Sequence, residues 1–142
     1  MINFFKDKKR DKTENTNEFF SKVASLLIHA AKIDEVYTDA EKEIIKNTLI
    51  ELGAKNEDLN KIMMSATINE DKSNQILDFT REVKIMPNSE KIKIVEALWK
   101  IIYSNADADM YETNLMRRLS GLLYIDNKTM SEIKEKIKKE FT

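Results

Sequence analysis

The segment Ala97–Ile125, ALWKIIYSNADADMYETNLMRRLSGLLYI, decides how the chain is read. Its first part is apolar at helical spacing: Leu98, Trp99 and Ile102 continue a stripe begun by Ile92 and Val95. Its last part is apolar in the same way, through Leu115, Met116, Leu119, Leu122 and Leu123. Steps of three and four residues place each set on one face of an α-helix. Between them stand Asn105, Asp107, Asp109 and Glu112. Asp109 precedes Glu112 by three residues, the spacing of a capping box, in which the first side chain takes a free N–H of the new helix and the Glu reaches back. The segment therefore reads as helix, acidic joint, helix.

The same phrase occurs earlier. Phe19, Phe20, Val23, Leu27, Ala30 and Ala31 form one stripe, and Ile44, Ile45, Thr48, Leu49 and Leu52 another, with Thr38 and Glu41 as the capping pair between them. The two capping pairs are 71 residues apart (109 − 38 = 112 − 41 = 71). That offset also pairs Val23 with Ile94, Leu27 with Leu98, Ile28 with Trp99, Ala31 with Ile102, Ile44 with Leu115, Ile45 with Met116, Leu52 with Leu123, and Asp34 with Asn105. The period exceeds that of solenoid repeats, which points to a pseudo-symmetric bundle. Helices joined by short polar turns pack antiparallel, bringing the halves together.

Thr129 with Glu132 offers a third capping box; Asn56, Asp71, Asn88 and Ser89 are weaker caps, and Gly53 is a stop for the second helix. The pattern predicts seven helices, near 17–33, 39–53, 57–66, 73–85, 89–104, 110–124 and 129–140. Two glycines and one proline in 142 residues supply few of the turns a β-rich fold needs. The expected architecture is all-α: a flexible charged tail over 1–15, then one helical domain over 16–142.

Composition removes several function classes. Lys and Arg number 24 against 25 Asp and Glu, so no basic excess recruits nucleic acid. There is no Cys, which excludes disulfides, thiolate nucleophiles and sulfur-ligated metal. No apolar run approaches the ~18 residues of a membrane span, and the N-terminal stretch lacks the pattern of a signal peptide, so a cytoplasmic protein is expected. Phe4 and Phe5, followed by Lys6, Lys8, Lys9 and Arg10, would give weak membrane-surface contact at most. His29 falls within an apolar helix stretch and Gly53 and Gly121 are isolated, so neither a catalytic base nor a phosphate-cradling loop is indicated. Trp99 and Tyr103 fit a core-facing stripe, and the alternating charges of EIKEKIKKEF mark a solvated helix face.

The joints hold the candidate site. Capping accounts for Thr38, Glu41, Asp109 and Glu112 but leaves Asp34, Asp39 and Asp107 without a task. Asn105, Asp107 and Asp109 alternate as the first oxygens of a calcium loop do, yet Met110 and Met116 stand where that loop needs its Gly and its bidentate Glu. A pooled site would instead bring Asp34, Asp39 and Glu41 to Asn105, Asp107, Asp109 and Glu112. All-oxygen ligation of that kind suits Ca²⁺, Mg²⁺ or Mn²⁺.

LLIHAAKIDEVYTDAEKEII and the opening segment together resemble the TerB-like family, the tellurite-resistance protein B group of small helical proteins. Its relatives include the N-terminal domain of a membrane-anchored DnaJ-type co-chaperone. Leu98, Trp99, Lys100, Asp109, Tyr111, Glu112, Arg117, Arg118, Leu122 and Leu123 fit the family pattern, and the likeness spans about residues 19–128. The family's Asp-Gly pair is Asp34-Glu35 in the first half and Asn105-Ala106 in the second. The resemblance implies a helical bundle with an acidic surface for metal ions or partners, carried over at Asp34, Glu41 and Glu112 and in part at Asn105. It implies a non-enzymatic protein of tellurite, oxyanion or metal-ion stress response. A protein-interaction module without metal, akin to a co-chaperone, is the alternative, and a hydrolase using Asp107 and Asp109 a third reading.

Overall fold

Each apolar stripe becomes one helix. The computed structural model describes the backbone of residues 2–33, 37–72, 76–104 and 110–141, with the side chains of these except 2–15 and 110–113. Among the described residues the order is α1 (Ile2–Ala31), α2 (Asp39–Glu51), a 3-10 turn (Asn56–Asp58), α3 (Leu59–Lys72), α4 (Leu77–Val83), α5 (Asn88–Ser104), α6 (Met110–Leu122) and α7 (Asn127–Glu140). The fold is all-helical, as expected.

Helix α1 is the central strut. Phe20, Val23, Ala24, Leu26, Leu27, Ile28, Ala30 and Ala31 are all buried, so its second half is covered on nearly every side. A helix apolar all round must be surrounded, and α1 touches α2, α3, α4 and α5. Its closest partner is α3, because small residues face the contact: the Ser25 hydroxyl reaches both the Ser21 carbonyl (2.8 Å) and, across the interface, the Ala66 carbonyl (3.0 Å). The Ser21 hydroxyl donates to the Ser65 hydroxyl at 3.0 Å and accepts from the Asn69 amide at 3.3 Å. These bonds satisfy the polar groups that so close an approach buries.

Helix α5 is the equivalent strut of the second half, burying Ile94, Val95, Ala97, Leu98, Trp99, Ile101 and Ile102. It packs on α7 as α1 packs on α3, and it joins the halves through α1 and α2. The repeat extends to helix limits: α2 covers 39–51 and α6 covers 110–122, both ends displaced by 71. It extends to hydrogen bonds as well. After α2, the N–H groups of Leu52, Gly53 and Ala54 donate to the carbonyls of Thr48, Ile50 and Leu49. After α6, those of Leu123, Tyr124 and Ile125 donate to Leu119, Gly121 and Ser120, each partner again 71 residues on.

Four boundaries differ from the sequence reading. Backbone helix begins at Ile2 rather than near 17. Residues 2–15 hold neither Gly nor Pro and are rich in Lys, so nothing local breaks the helix. Helix α3 runs to Lys72, which puts Asp71 inside it; Asp71 takes the Lys32 ammonium at 2.8 Å instead of capping the next helix. Helix α4 is correspondingly short, and residues 73–75 lie outside the described residues. Helix α7 starts at Asn127, capped by Asp126, whose Oδ1 accepts from the Thr129 N–H at 2.7 Å. Thr129 is thus the third residue of that helix, because an aspartate three positions upstream takes the free donor first.

Candidate functional site

The first acidic joint starts where α1 gives out. The N–H groups of Lys32 and Ile33 still bond back to Ile28 and Ala30, and the chain re-enters helix at Asp39. Thr38 is extended (φ −88°, ψ 161°), the conformation of a capping residue. The expected capping box is present: Thr38 Oγ1 accepts from the Glu41 N–H at 3.2 Å, and Glu41 Oε1 accepts from the Thr38 N–H at 2.8 Å. The same carboxylate oxygen also takes the Thr38 hydroxyl at 2.9 Å. Glu41 is only 2% exposed, so this carboxylate is built into the fold. Asp39 is its opposite: its side chain is fully exposed, with Lys42 Nζ no nearer than 4.0 Å.

Tyr37 precedes the cap and was not among the sequence-predicted site residues. Its ring packs against the core, with the Lys42 ammonium 5.2 Å from the ring centre. Its hydroxyl is buried and has no hydrogen-bond partner among the described residues. Burial first, and the Glu41 carboxylate second, push the phenol up to about 12, with Lys32 opposing. Tyr37 therefore stays neutral. The only signal in the sequence was its place immediately before the Thr38 cap, where an apolar residue commonly staples onto the helix.

The second joint is less fully described. Asp34, Asn105, Asp107 and Asp109 lie outside the described residues, and so does the side chain of Glu112. Of the seven sequence-predicted site residues, Asp39 and Glu41 can be placed, both at the start of α2. Among the described residues no group of three or more Asp, Glu or His gathers as a metal site would require.

At the C-terminal end of α1 a separate polar cluster ties α1 to α3. Glu70 takes the Lys32 ammonium at 2.9 Å and lies 3.5 Å from His29 Nδ1, while Asp71 takes Lys32 from the other side. The two carboxylates raise the Lys32 pKa, through the Asp71 hydrogen bond first and that of Glu70 second. His29 sits at the edge of the bundle, as its position in an apolar helix stretch suggested.

A family model described as "Tellurite resistance protein TerB" matches residues 20–135, from the buried Phe20 into α7. No curated protein and no solved structure matches the chain.

Proposed function

The chain belongs to the tellurite resistance protein TerB family, and from that premise we propose that it is a non-enzymatic binding protein of the response to tellurite, related oxyanions or metal ions. Its working surface is the pair of acidic joints, which takes a divalent cation or a protein partner. The observation that carries this reading is the division of labour at the first joint. Glu41 is spent on the capping box, while Asp39 next to it holds a carboxylate wholly in solvent. The box does not need Asp39. Helices α2 and α6 begin at equivalent positions of the repeat; there Met110 takes the place of Asp39, and the acid that capping leaves over in the second half is Asp107, before the helix.

The test is thermal unfolding of the wild type, Asp39→Asn and Asp107→Asn, each in chelator and in millimolar Ca²⁺, Mg²⁺ or Mn²⁺. A specific ligand raises the wild-type midpoint by mass action, and each variant should lose part of that rise. Equal responses in all three proteins would remove the cation from the proposal.

A protein-interaction module without metal is the second reading. It is favoured by Met64 and Ile68, one turn apart on α3 and 68% and 48% exposed. Two large apolar side chains so placed suit the groove or helix face of a partner.

A further inference from the structure

We propose that the cleft between α5, α6 and α7 binds a small amphipathic anion, an aryl or branched aliphatic body carrying one carboxylate. The site is separate from the acidic joints and does not depend on what they bind. The cleft encloses about 330 Å³, within the range of pockets that hold small organic molecules. Its floor is apolar: the Trp99 indole from α5, Met116 from α6 and Met130 from α7, all buried. Aromatic and thioether surface of this kind accepts an apolar body, the thioether adapting to its outline.

The charge of the cleft is one-sided. Arg117 lines it from α6 and Lys134 from α7, and among the described residues that line it there is no Asp or Glu. Lys134 Nζ lies 5.4 Å from the centre of the Trp99 ring. Among the described residues neither cation is held in an ion pair, whereas Lys22, Lys32 and Lys136 are each matched by a carboxylate within 3.2 Å. The chain as a whole is nearly balanced, with 24 basic and 25 acidic residues, so a hollow lined by two cations departs from that balance locally. A guanidinium presents a planar fork that fits a carboxylate, and an ammonium opposite it adds a second charge-assisted bond. Ser131 and Asn127 add neutral donors at the mouth. The Trp99 Nε1–H itself is buried and has no acceptor among the described residues, unusual for an indole in a protein interior.

Trp99 is the only tryptophan, so the ¹⁵N-labelled full chain gives a single indole N–H resonance that reports on the floor. Benzoate is the probe, with benzamide as its uncharged isostere and inorganic phosphate as an anion without an apolar body. Benzoate should move the indole resonance saturably, and both controls should bind at least roughly tenfold more weakly, each lacking one half of the recognition. Arg117→Gln with Lys134→Gln should weaken benzoate by a similar factor without moving the thermal midpoint. Ser131→Asp, an exposed position, should do the same by placing a carboxylate at the mouth. An indole resonance that stays still at tens of millimolar benzoate, equal binding of benzamide or phosphate, or undiminished binding by the folded variants would each overturn the proposal.

Discussion

Glu41 and Tyr37 show how much a single position settles at the first joint. Removing the Glu41 carboxylate leaves the Thr38 N–H and hydroxyl without their acceptor. Glu41→Ala should therefore cost about 1–2 kcal/mol, the upper range of capping losses, and should do so in chelator as well as in its absence. Urea unfolding in both conditions checks this; a loss confined to metal-containing buffer would make Glu41 a ligand first. Tyr37 should behave in the opposite way, since its hydroxyl is buried without a partner among the described residues. Tyr37→Phe should leave stability unchanged or raise it by up to about 1 kcal/mol. The pH dependence has a definite sign. Burial pushes the folded phenol up to about 12 from its ordinary value of 10.0, so from about pH 10 to 12 the unfolded chain gives up a proton that the folded chain keeps. Stability contributed by this group is constant below pH 10 and falls through that window, by linkage. The Tyr37→Phe variant should show a shallower alkaline decline in the same unfolding experiment.

At the scale of the helix, the ends of α2 and α6 make a natural comparison. Gly53 closes α2 at φ +110°, and Tyr124, 71 residues later, closes α6 at φ +56°. Glycine enters the left-handed region at no steric cost, whereas any other residue there is strained by about 1 kcal/mol or more. Gly53→Ala should destabilise by about 1 kcal/mol, although among the described residues nothing beyond its chain neighbours lies within 4 Å of the added Cβ, because the penalty is in the backbone. Tyr124→Gly should release comparable strain, partly offset by the contacts of its ring with the ammonium groups of Lys84 and Lys91 at 5.5 and 6.0 Å. Denaturant midpoints of the two variants should therefore move in opposite directions. Gly53 was legible as a stop from its residue type. Tyr124 was not, since a tyrosine carries no turn signal; carrying the repeat offset from Gly53 to Tyr124 would have found it.

At the scale of the whole molecule the two struts, α1 and α5, pack on each other, and the paired positions Ile28 and Trp99 are both buried. Trp99 also stacks on Tyr103, ring centres 5.9 Å apart. Trp99→Ala would open a hollow at the meeting of α5 with α6 and α7, and should cost about 3–5 kcal/mol. An unchanged denaturant midpoint would contradict the bundle as described. The polar seam between α1 and α3 sets a second whole-molecule test. Ser25→Val removes the bond to the Ala66 carbonyl and forces bulk into a contact made close by small residues. Overpacking of this kind costs about 1–3 kcal/mol, and the same unfolding measurement reads it.

The all-helical class, the two halves with their offset, and the core stripes can be read along the chain, because the helical spacing of apolar residues is a property of local order. So can the Thr38–Glu41 box, whose donor and acceptor lie within one turn of each other. The features that could not be read this way depend on residues distant in sequence. Asp71 was read as a cap but pairs with Lys32, 39 residues away. Trp99, Arg117 and Lys134 share one cleft because three helices meet there, which no spacing along a single helix expresses. The placement of Asp39 in solvent and Glu41 in the interior has the same origin. Both are acids in the first turn of one helix, and it is the packing of α2 onto α1 and α5 that buries one side of that turn and leaves the other to water.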